Sequence, residues 1–118
     1  MLLITGANGQ LGKAVIEQCL RQGIPFYPVT KSELDITCVS SVNRLVSEQK
    51  IDCIINCAAY TAVDAAETDV ANAYSVNAYG PWMLASTGVP ILHVSTDYVF
   101  DGTAISPYET NDHTRPLS

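Results

Sequence analysis

Short apolar segments alternate along the chain with longer segments of helical periodicity, and this alternation constrains the fold more than any other feature. The predicted strands are Met1–Thr5, Pro25–Val29, Asp52–Asn56 and Pro90–Ser95. The predicted helices are Gln10–Gln22, Cys38–Gln49 and Val70–Ser86. We expect Gly23 to end the first helix, and Thr37 and Asp69 to cap the other two.

Strands that alternate with helices form parallel sheets through right-handed crossovers. The sequence therefore predicts an α/β fold with a Rossmann-type doubly wound parallel sheet, in its N-terminal half only, with strand order 3-2-1-4. The two prolines of the second strand favour a strand end or a sheet edge. In such sheets ligands bind beyond the carboxyl ends of the strands, which here are Thr5, Thr30, Asn56 and Ser95.

The charge balance of the chain excludes some classes of partner. Charged residues make up 15% of the 118 residues, below the usual value of about 25%, which favours strands covered on both faces. The net charge is −6, and no basic stripe is present that could follow a phosphate backbone. We therefore expect no nucleic acid and no membrane among its partners.

The four cysteines indicate a reducing compartment. Cys19, Cys38, Cys53 and Cys57 show no CxxC spacing, and the chain has only two histidines, so no zinc site is expected. Met1 leads directly into an apolar segment without a basic region, and no apolar run approaches the roughly 20 residues of a membrane span. Free thiols and a cytoplasmic location are the expectation.

A glycine-rich turn follows the first predicted strand and opens the first predicted helix. Gly6, Gly9 and Gly12 form a GxxGxxG pattern, in which glycines allow a tight turn, the approach of a pyrophosphate and close packing of the helix on the sheet. The helix N-terminus would offer unpaired N–H groups to the phosphates. The context therefore predicts dinucleotide binding, and a purely structural turn is the alternative.

The end of the second predicted strand bears on the choice between NADP and NAD. NAD-specific sites usually carry a carboxylate there, whereas this chain has Thr30, Lys31 and Ser32. Lys31 could meet a 2′-phosphate, which favours NADP(H). Glu33 weakens that preference, so NAD(H) stays open, and Lys31 could also be a solvated surface lysine.

Three longer phrases follow the glycines in order. They are Ser32–Thr37 (SELDIT), Ile54–Asp64 (IINCAAYTAVD) and Ser95–Gly102 (STDYVFDG), and Pro107-Tyr108-Glu109 comes after them. Together these phrases closely resemble the dTDP-4-dehydrorhamnose reductase family of extended short-chain dehydrogenases/reductases. The resemblance covers nearly the whole chain, and the last two phrases are far more specific than the glycines.

The resemblance implies a cofactor site spread over the strand ends. The residues that match it are Gly6, Gly9, Gln10, Leu11, Gly12, Thr30, Lys31, Asp35, Ile36, Ala58, Ala59, Tyr60, Thr61 and Val94. Within this set, the residues of the glycine turn would contact pyrophosphate and ribose. Asp35 and Ile36 would hold the adenine, and Val94 would lie near the nicotinamide.

The same resemblance implies a catalytic and a substrate-binding residue after the fourth strand. Thr96 matches the Ser/Thr of the family's Thr-Tyr-Lys constellation, and its hydroxyl would hydrogen-bond the substrate C4 carbonyl. Asp97 would contact the nucleotide sugar beside it. Without the resemblance, Ser95 and Thr96 would be interpreted as a strand-end turn.

The family's YxxxK pair, which protonates the carbonyl and holds the ribose, has no counterpart in this sequence. Tyr27 and Lys31 have the spacing, but they lie on a predicted strand, about 13 Å apart, rather than on a helix. We therefore expect residues 1–118 to form the N-terminal part of an NAD(P)-binding domain, with the YxxxK helix and substrate lobe absent, and to be inactive alone.

The implied activity is NADPH-dependent reduction of the C4 ketone of dTDP-4-dehydro-6-deoxy-L-mannose, in the biosynthesis of dTDP-L-rhamnose for cell-surface polysaccharide. The alternatives are a non-catalytic NADP-binding regulatory subunit of the same family and a sister sugar-nucleotide epimerase or dehydratase. The open edge of the fourth strand is compatible with a homodimer, and the sequence leaves a magnesium requirement open.

One expectation needs no resemblance. Pro81 lies inside the third predicted helix and lacks an N–H, so the Asn77 carbonyl loses its helical partner. That carbonyl could bind a water facing the site, or the proline could simply kink the helix.

Overall fold

The fold is a four-stranded parallel sheet with helices on both faces. The computed structural model describes Met1–Ser118, and its strands are β1 (Leu2–Thr5), β2 (Phe26–Val29), β3 (Cys53–Asn56) and β4 (Ile91–His93). The strands lie in the order β2-β1-β3-β4, and every neighbouring pair is parallel. The predicted α/β Rossmann-type class is therefore confirmed.

The predicted strand order 3-2-1-4 is wrong, because β3 pairs with β1 rather than with β2. The backbone of β2 explains this. Leu2 N donates to Pro25 O and Ala7 N donates to Val29 O. The backbone N–H and C=O groups of the odd-numbered residues of β2 therefore face β1. Pro28 then faces away, where it can offer no N–H to a further strand. The proline places β2 at the edge, and the third strand crosses to the other side of β1.

The helices are α1 (Gln10–Gln22), α2 (Val39–Glu48), α3 (Val63–Ala66), α4 (Val70–Tyr74) and α5 (Gly80–Ser86). The first matches its prediction, and Gly23 ends it with φ +64° in the left-handed region. The short helix α3 was not predicted. A 3₁₀ turn, Asp97–Val99, follows β4.

Thr37 is not the N-cap residue of α2, whereas Asp69 is the N-cap residue of α4, as predicted, but makes no side-chain bond to the helix backbone. The Thr37 hydroxyl donates to Asp35 Oδ1 at 2.7 Å, and α2 begins after Cys38 instead. Asp69 precedes α4, but its carboxylate accepts from the Asn72 amide group rather than from the helix backbone. Nearby side chains thus compete with the orphan N–H groups for the same oxygens.

A π-helical turn, Ser75–Tyr79, joins α4 to α5. The Gly80 N–H donates to Ser75 O, five residues earlier, and Pro81 occupies the first turn of α5. One extra residue in the turn accommodates a proline that would disrupt an α-helix at that point. The predicted continuous helix therefore contains a π-turn, and the water on the Asn77 carbonyl stays a prediction.

The core lies between the sheet and one helix layer. It comprises Leu3, Val29, Leu34, Ile36, Val42, Ile51, Ile54 and Leu84. On this face α2 and α5 pack against each other. Helix α1 packs on β1 and β2 and contributes no residue to this core. None of the helices combines the length and apolarity required to cross a membrane.

Candidate functional site

A cleft opens at the carboxyl ends of β1, β2 and β3. It measures about 250 Å³ and is called the strand-end cleft below. Its lining residues are Gly6, Asn8, Gly9, Lys31, Leu34, Asp35, Ile36, Cys57, Ala58, Ala59, Tyr60 and Val76. Apolar walls with a few polar groups are typical of a ligand site.

The glycine turn forms one wall of this cleft, and two of its glycines are required by space. Gly6 has φ +62°, and a Cβ there would lie 2.7 Å from Ala58 N. A Cβ on Gly12 would collide with the Gly6 carbonyl oxygen and lie 2.9 Å from Ala7 Cα. Because these neighbours are backbone atoms, a side chain at either position would force the turn open.

The start of α1 is free to receive an anion. Gly9 is the N-cap residue, no side chain caps the helix, and the first turn contains no acidic residue. Gly9 N donates to Gly6 O at 2.9 Å, which closes the turn onto the helix. The next N–H groups, from Gln10 onward, point out of the helix end, where they favour a phosphate.

A buried polar network supports the floor of the strand-end cleft. The Asn56 side chain is 1% exposed, and its Oδ1 accepts from the Thr5 hydroxyl and, at 3.3 Å, from Ala58 N. Asn56 Nδ2 donates to His93 Nδ1 at 3.0 Å. Because an amide nitrogen can only donate, Nδ1 of His93 is the acceptor in this bond. The network ties β1, β3 and β4 together at their carboxyl ends.

Replacing Asn56 by leucine should lower the free energy of unfolding by about 2–4 kcal/mol, because the Thr5 hydroxyl and the Ala58 amide lose a buried acceptor. Chemical denaturation measures this loss. The matched control is Asn43→Leu, at an exposed asparagine of α2, which should change stability by less than about 0.5 kcal/mol. Equal effects in the two variants would show that the network adds no stability.

Two carboxylates organise the loop that follows β2. Glu33 accepts from Thr30 N at 2.8 Å and from the Thr30 hydroxyl at 2.7 Å, and these bonds lower the pKa of Glu33. The hydroxyl and backbone N–H of Thr37 and the charge of Lys31 lower the pKa of Asp35. Both Thr37 bonds end on Asp35 Oδ1, so Oδ2 can accept from a ligand. The Glu33 carboxylate is bound to Thr30. Lys31 is the basic residue that lines the strand-end cleft.

The loop after β3 is held from the helix that contains the π-turn. Asn77 Oδ1 accepts from Tyr60 N at 2.8 Å, and Asn77 Nδ2 donates to Tyr60 O at 2.9 Å. The Tyr60 hydroxyl donates to Asp69 Oδ2 at 3.1 Å, and partial burial together with this bond raises the pKa of Tyr60. Two helical segments therefore fix the segment that contains Ala58 and Ala59.

The residues after β4 lie beside a second, larger cavity. This cavity measures about 480 Å³ and is lined by Val63, Asp97, Tyr98, Phe100, Asp101, Gly102, Tyr108, Leu117 and Ser118. Phe100 and Tyr108 stack with ring centroids 4.1 Å apart. Asp101 accepts from the Tyr108 hydroxyl at 3.2 Å, which holds the loop to the stack. Asp97 lines this cavity, and Thr96 immediately precedes it.

The strand-end cleft brings together half of the predicted site residues. The predicted residues that line the strand-end cleft are Gly6, Gly9, Lys31, Asp35, Ile36, Ala58, Ala59 and Tyr60. Those outside its lining are Gln10, Leu11, Gly12, Thr30, Thr61, Val94, Thr96 and Asp97. Gln10, Leu11 and Gly12 form the start of α1, and Val94 and Thr96 follow the end of β4.

Four lining residues were not predicted: Asn8, Leu34, Cys57 and Val76. Asn8 and Cys57 adjoin predicted positions, so the spacing of the motifs could have indicated them. Val76 arrives from the π-turn, far along the chain, and no local pattern points to it. No group of three or more His, Cys, Asp or Glu side chains that could hold a metal ion is present.

Comparison with known proteins gives consistent matches over the whole chain. The sequence profile of the family described as RmlD substrate binding domain matches residues 1–118. A dTDP-4-dehydrorhamnose reductase of Mycobacterium tuberculosis is 46% identical over 123 aligned residues, covering 98% of this chain and 40% of that protein. The chain thus spans about 40% of the length of the curated relatives it matches.

Two solved structures are also similar. A dTDP-4-dehydrorhamnose reductase from Clostridium acetobutylicum has a TM-score of 0.94 at 45% identity, covering 99% of this chain and 43% of that one. The reductase from Bacillus anthracis, solved in complex with NADP, has a TM-score of 0.91 at 41% identity, covering 98% and 43%.

Proposed function

Because the chain belongs to the RmlD substrate binding domain family, we propose that it is the cofactor-binding part of an NADPH-dependent reductase. The substrate would be a dTDP-linked 4-keto-6-deoxy sugar, dTDP-4-dehydro-6-deoxy-L-mannose, which the enzyme reduces at C4. Residues 1–118 would form the N-terminal part of the NAD(P)-binding domain. The proton donor and the substrate lobe would come from outside these residues.

The single observation that carries the proposal is the geometry of the glycine turn against the uncapped start of α1. Gly6 and Gly12 admit no side chain, and α1 carries no side-chain cap. Such a helix end favours an anion through its N–H groups and its dipole. The similar Bacillus anthracis reductase was solved with NADP, which supports assigning the pyrophosphate of this cofactor to the helix end.

The remaining parts of the cofactor follow from this placement. The adenine would lie against Ile36, with its amino group donating to the free Oδ2 of Asp35, and Lys31 would face a 2′-phosphate. The small side chains of Ala58 and Ala59 leave room for the ribose beside β3. Val94 would lie near the nicotinamide, as the resemblance to the reductase family implies.

The chemistry would take place beyond β4. NADPH, when bound, supplies the hydride for the ketone carbon. Thr96 would donate its hydroxyl hydrogen bond to the ketone oxygen, which orients the carbonyl and stabilises the negative charge that develops there. Asp97 would bind the nucleotide sugar next to it, at the rim of the cavity that it lines.

The proposed activity is tested with the purified protein expressed from its complete reading frame. NADPH and dTDP-4-dehydro-6-deoxy-L-mannose are mixed with the protein, and absorbance at 340 nm follows NADPH oxidation. Substrate-dependent oxidation with formation of dTDP-L-rhamnose is the expected result. NADPH binding without oxidation would favour a regulatory subunit, and retained NAD with no net consumption of NADPH would favour an epimerase or dehydratase.

Replacing Lys31 by alanine should reduce the preference for NADPH over NADH by about tenfold, because one charge-assisted contact to the 2′-phosphate is lost. The ratio of the two dissociation constants measures this effect. Arg44→Ala, on α2, is the control and should leave the ratio unchanged. An unchanged ratio in Lys31→Ala would assign that lysine to the solvated surface.

We also propose that the protein acts in the cytoplasm as a homodimer. Its four cysteines are all free, which suits a reducing compartment. Within residues 1–118, β4 pairs only with β3 and Leu92 on it is 56% exposed, so this edge is open to pairing with a further strand. Sedimentation of the protein from its complete reading frame would show twice the monomer mass, and a monomer at micromolar concentration would contradict the dimer.

A further inference from the structure

Gly80 occupies a position where the backbone does not require glycine. It lies between the π-turn and α5 with φ −56° and ψ −55°, which is ordinary helical geometry, and it is buried. Glycine inside a helix is less favourable than alanine, because it loses more conformational freedom on folding. The reason for glycine at this position must therefore be the space around it.

The side chain of Ile36 takes up that space. A Cβ built on Gly80 would lie 2.8 Å from Ile36 Cγ1 and closer still to Ile36 Cδ1. Ile36 is only 6% exposed and belongs to the same packed core as Leu34 and Leu84. A methyl group at position 80 would therefore have to displace the isoleucine side chain.

The strand-end cleft offers the displaced side chain room. The packed core closes the side towards the sheet, whereas Ile36 also lines the strand-end cleft of about 250 Å³. Val76, four residues before Gly80, lines the same cleft, so this face of the helix borders it. Pressure from position 80 would move the isoleucine into the cleft.

We propose that Gly80 is a positioning residue that sets the depth of the strand-end cleft through Ile36. The inference rests on the proposed function, in which the adenine of the cofactor lies against Ile36. Any larger residue at position 80 narrows the adenine end of the cleft. Because NADPH and NADH carry the same adenine, the loss of affinity is equal for both cofactors, and their ratio stays constant.

The test uses Gly80→Ala in the purified protein from its complete reading frame, with NADPH and NADH as probes in fluorescence titrations. Affinity for both should fall about tenfold or more, the effect of one surplus carbon in a fitted pocket. The double variant Gly80→Ala/Ile36→Val removes Cδ1, the atom closest to the added Cβ, so that only the 2.8 Å approach to Cγ1 remains. Both affinities should then recover to within about threefold of the original, because the two positions are coupled. Ala85→Val adds volume at an exposed position of α5 and should change neither affinity.

Unchanged affinities in a folded Gly80→Ala protein, or a loss that Ile36→Val does not reverse, would overturn the positioning role while the cofactor site stands. Should Gly80→Ala fail to fold by circular dichroism, recovery of folding and binding in the double variant supports the role, and no recovery overturns it. Failure of the unmodified protein to bind either nucleotide would instead remove the proposed function, and this inference with it.

Discussion

Replacing Gly12 by alanine is expected to reduce NADPH affinity at least about 100-fold, which corresponds to about 2.7 kcal/mol or more of binding free energy. The added Cβ would collide with the Gly6 carbonyl and lie 2.9 Å from Ala7 Cα. Neither atom can rotate away, so the turn must separate from the helix. The first N–H groups of α1 would then no longer point at the pyrophosphate. The free energy of unfolding should also fall, by about 1–3 kcal/mol. Titration of the purified protein with NADPH measures the affinity.

A glycine at the other end of the same helix provides the control. Gly23 has φ +64°, and a Cβ there would meet nothing within 4 Å. Gly23→Ala should therefore lower stability by about 1 kcal/mol through backbone strain alone and leave NADPH affinity unchanged. Original affinity in Gly12→Ala would show that the turn does not hold the cofactor.

The second large effect is expected at Thr96. Thr96→Val should lower kcat at least about 100-fold, the effect of removing one donor aimed at a developing oxyanion, while the KM for NADPH stays constant. Thr96 has an extended backbone, with φ −129° and ψ 160°, and its side chain does not cap the 3₁₀ turn after it. The hydroxyl is therefore available to a substrate. Valine keeps the shape and removes only this donor.

Ser95 gives the matched control, since it is an exposed hydroxyl directly before Thr96. Ser95→Ala should leave kcat within about twofold of the original, because no hydrogen bond to the substrate is assigned to the Ser95 hydroxyl. Equal losses in both variants would point to a local structural effect rather than to a hydroxyl on the substrate. A fully active Thr96→Val enzyme would remove that residue from the mechanism.

The local parts of the fold could be predicted because their signals are local. Helix α1 has apolar residues at helical spacing and a glycine after its end, and its first and last residues are the predicted ones. The side of β1 on which β3 pairs depends on contacts between distant segments. Pro28 is the residue that indicates the side, because it faces away from β1 and has no backbone N–H with which a further strand could pair.

The helix before β4 shows a different limit. The sequence indicates a proline inside a helix but not how the backbone absorbs it, because a kink and an inserted residue satisfy the same steric requirement. The structure resolves this with the π-turn before Gly80. That turn contributes Val76 to the strand-end cleft and Asn77 to the loop after β3.

The candidate site was predictable where its residues follow a strand directly. The glycine turn, Asp35 and the two alanines after β3 lie at strand ends, and topology alone brings them together. The pairing of Asn56 with His93 was not predicted, although a polar residue at the end of an apolar strand is a signal for a buried hydrogen-bond partner. Its partner could not be chosen without knowing that β3 and β4 are neighbours.

An NMR titration of the purified, isotope-labelled protein with NADPH tests most directly whether the start of α1 binds the cofactor. We expect saturable one-to-one binding, with the largest amide shifts at Gly9, Gln10 and Leu11, where the helix end would hold the pyrophosphate. Absence of any shift at millimolar NADPH, or shifts confined to residues away from the strand-end cleft, would contradict this expectation.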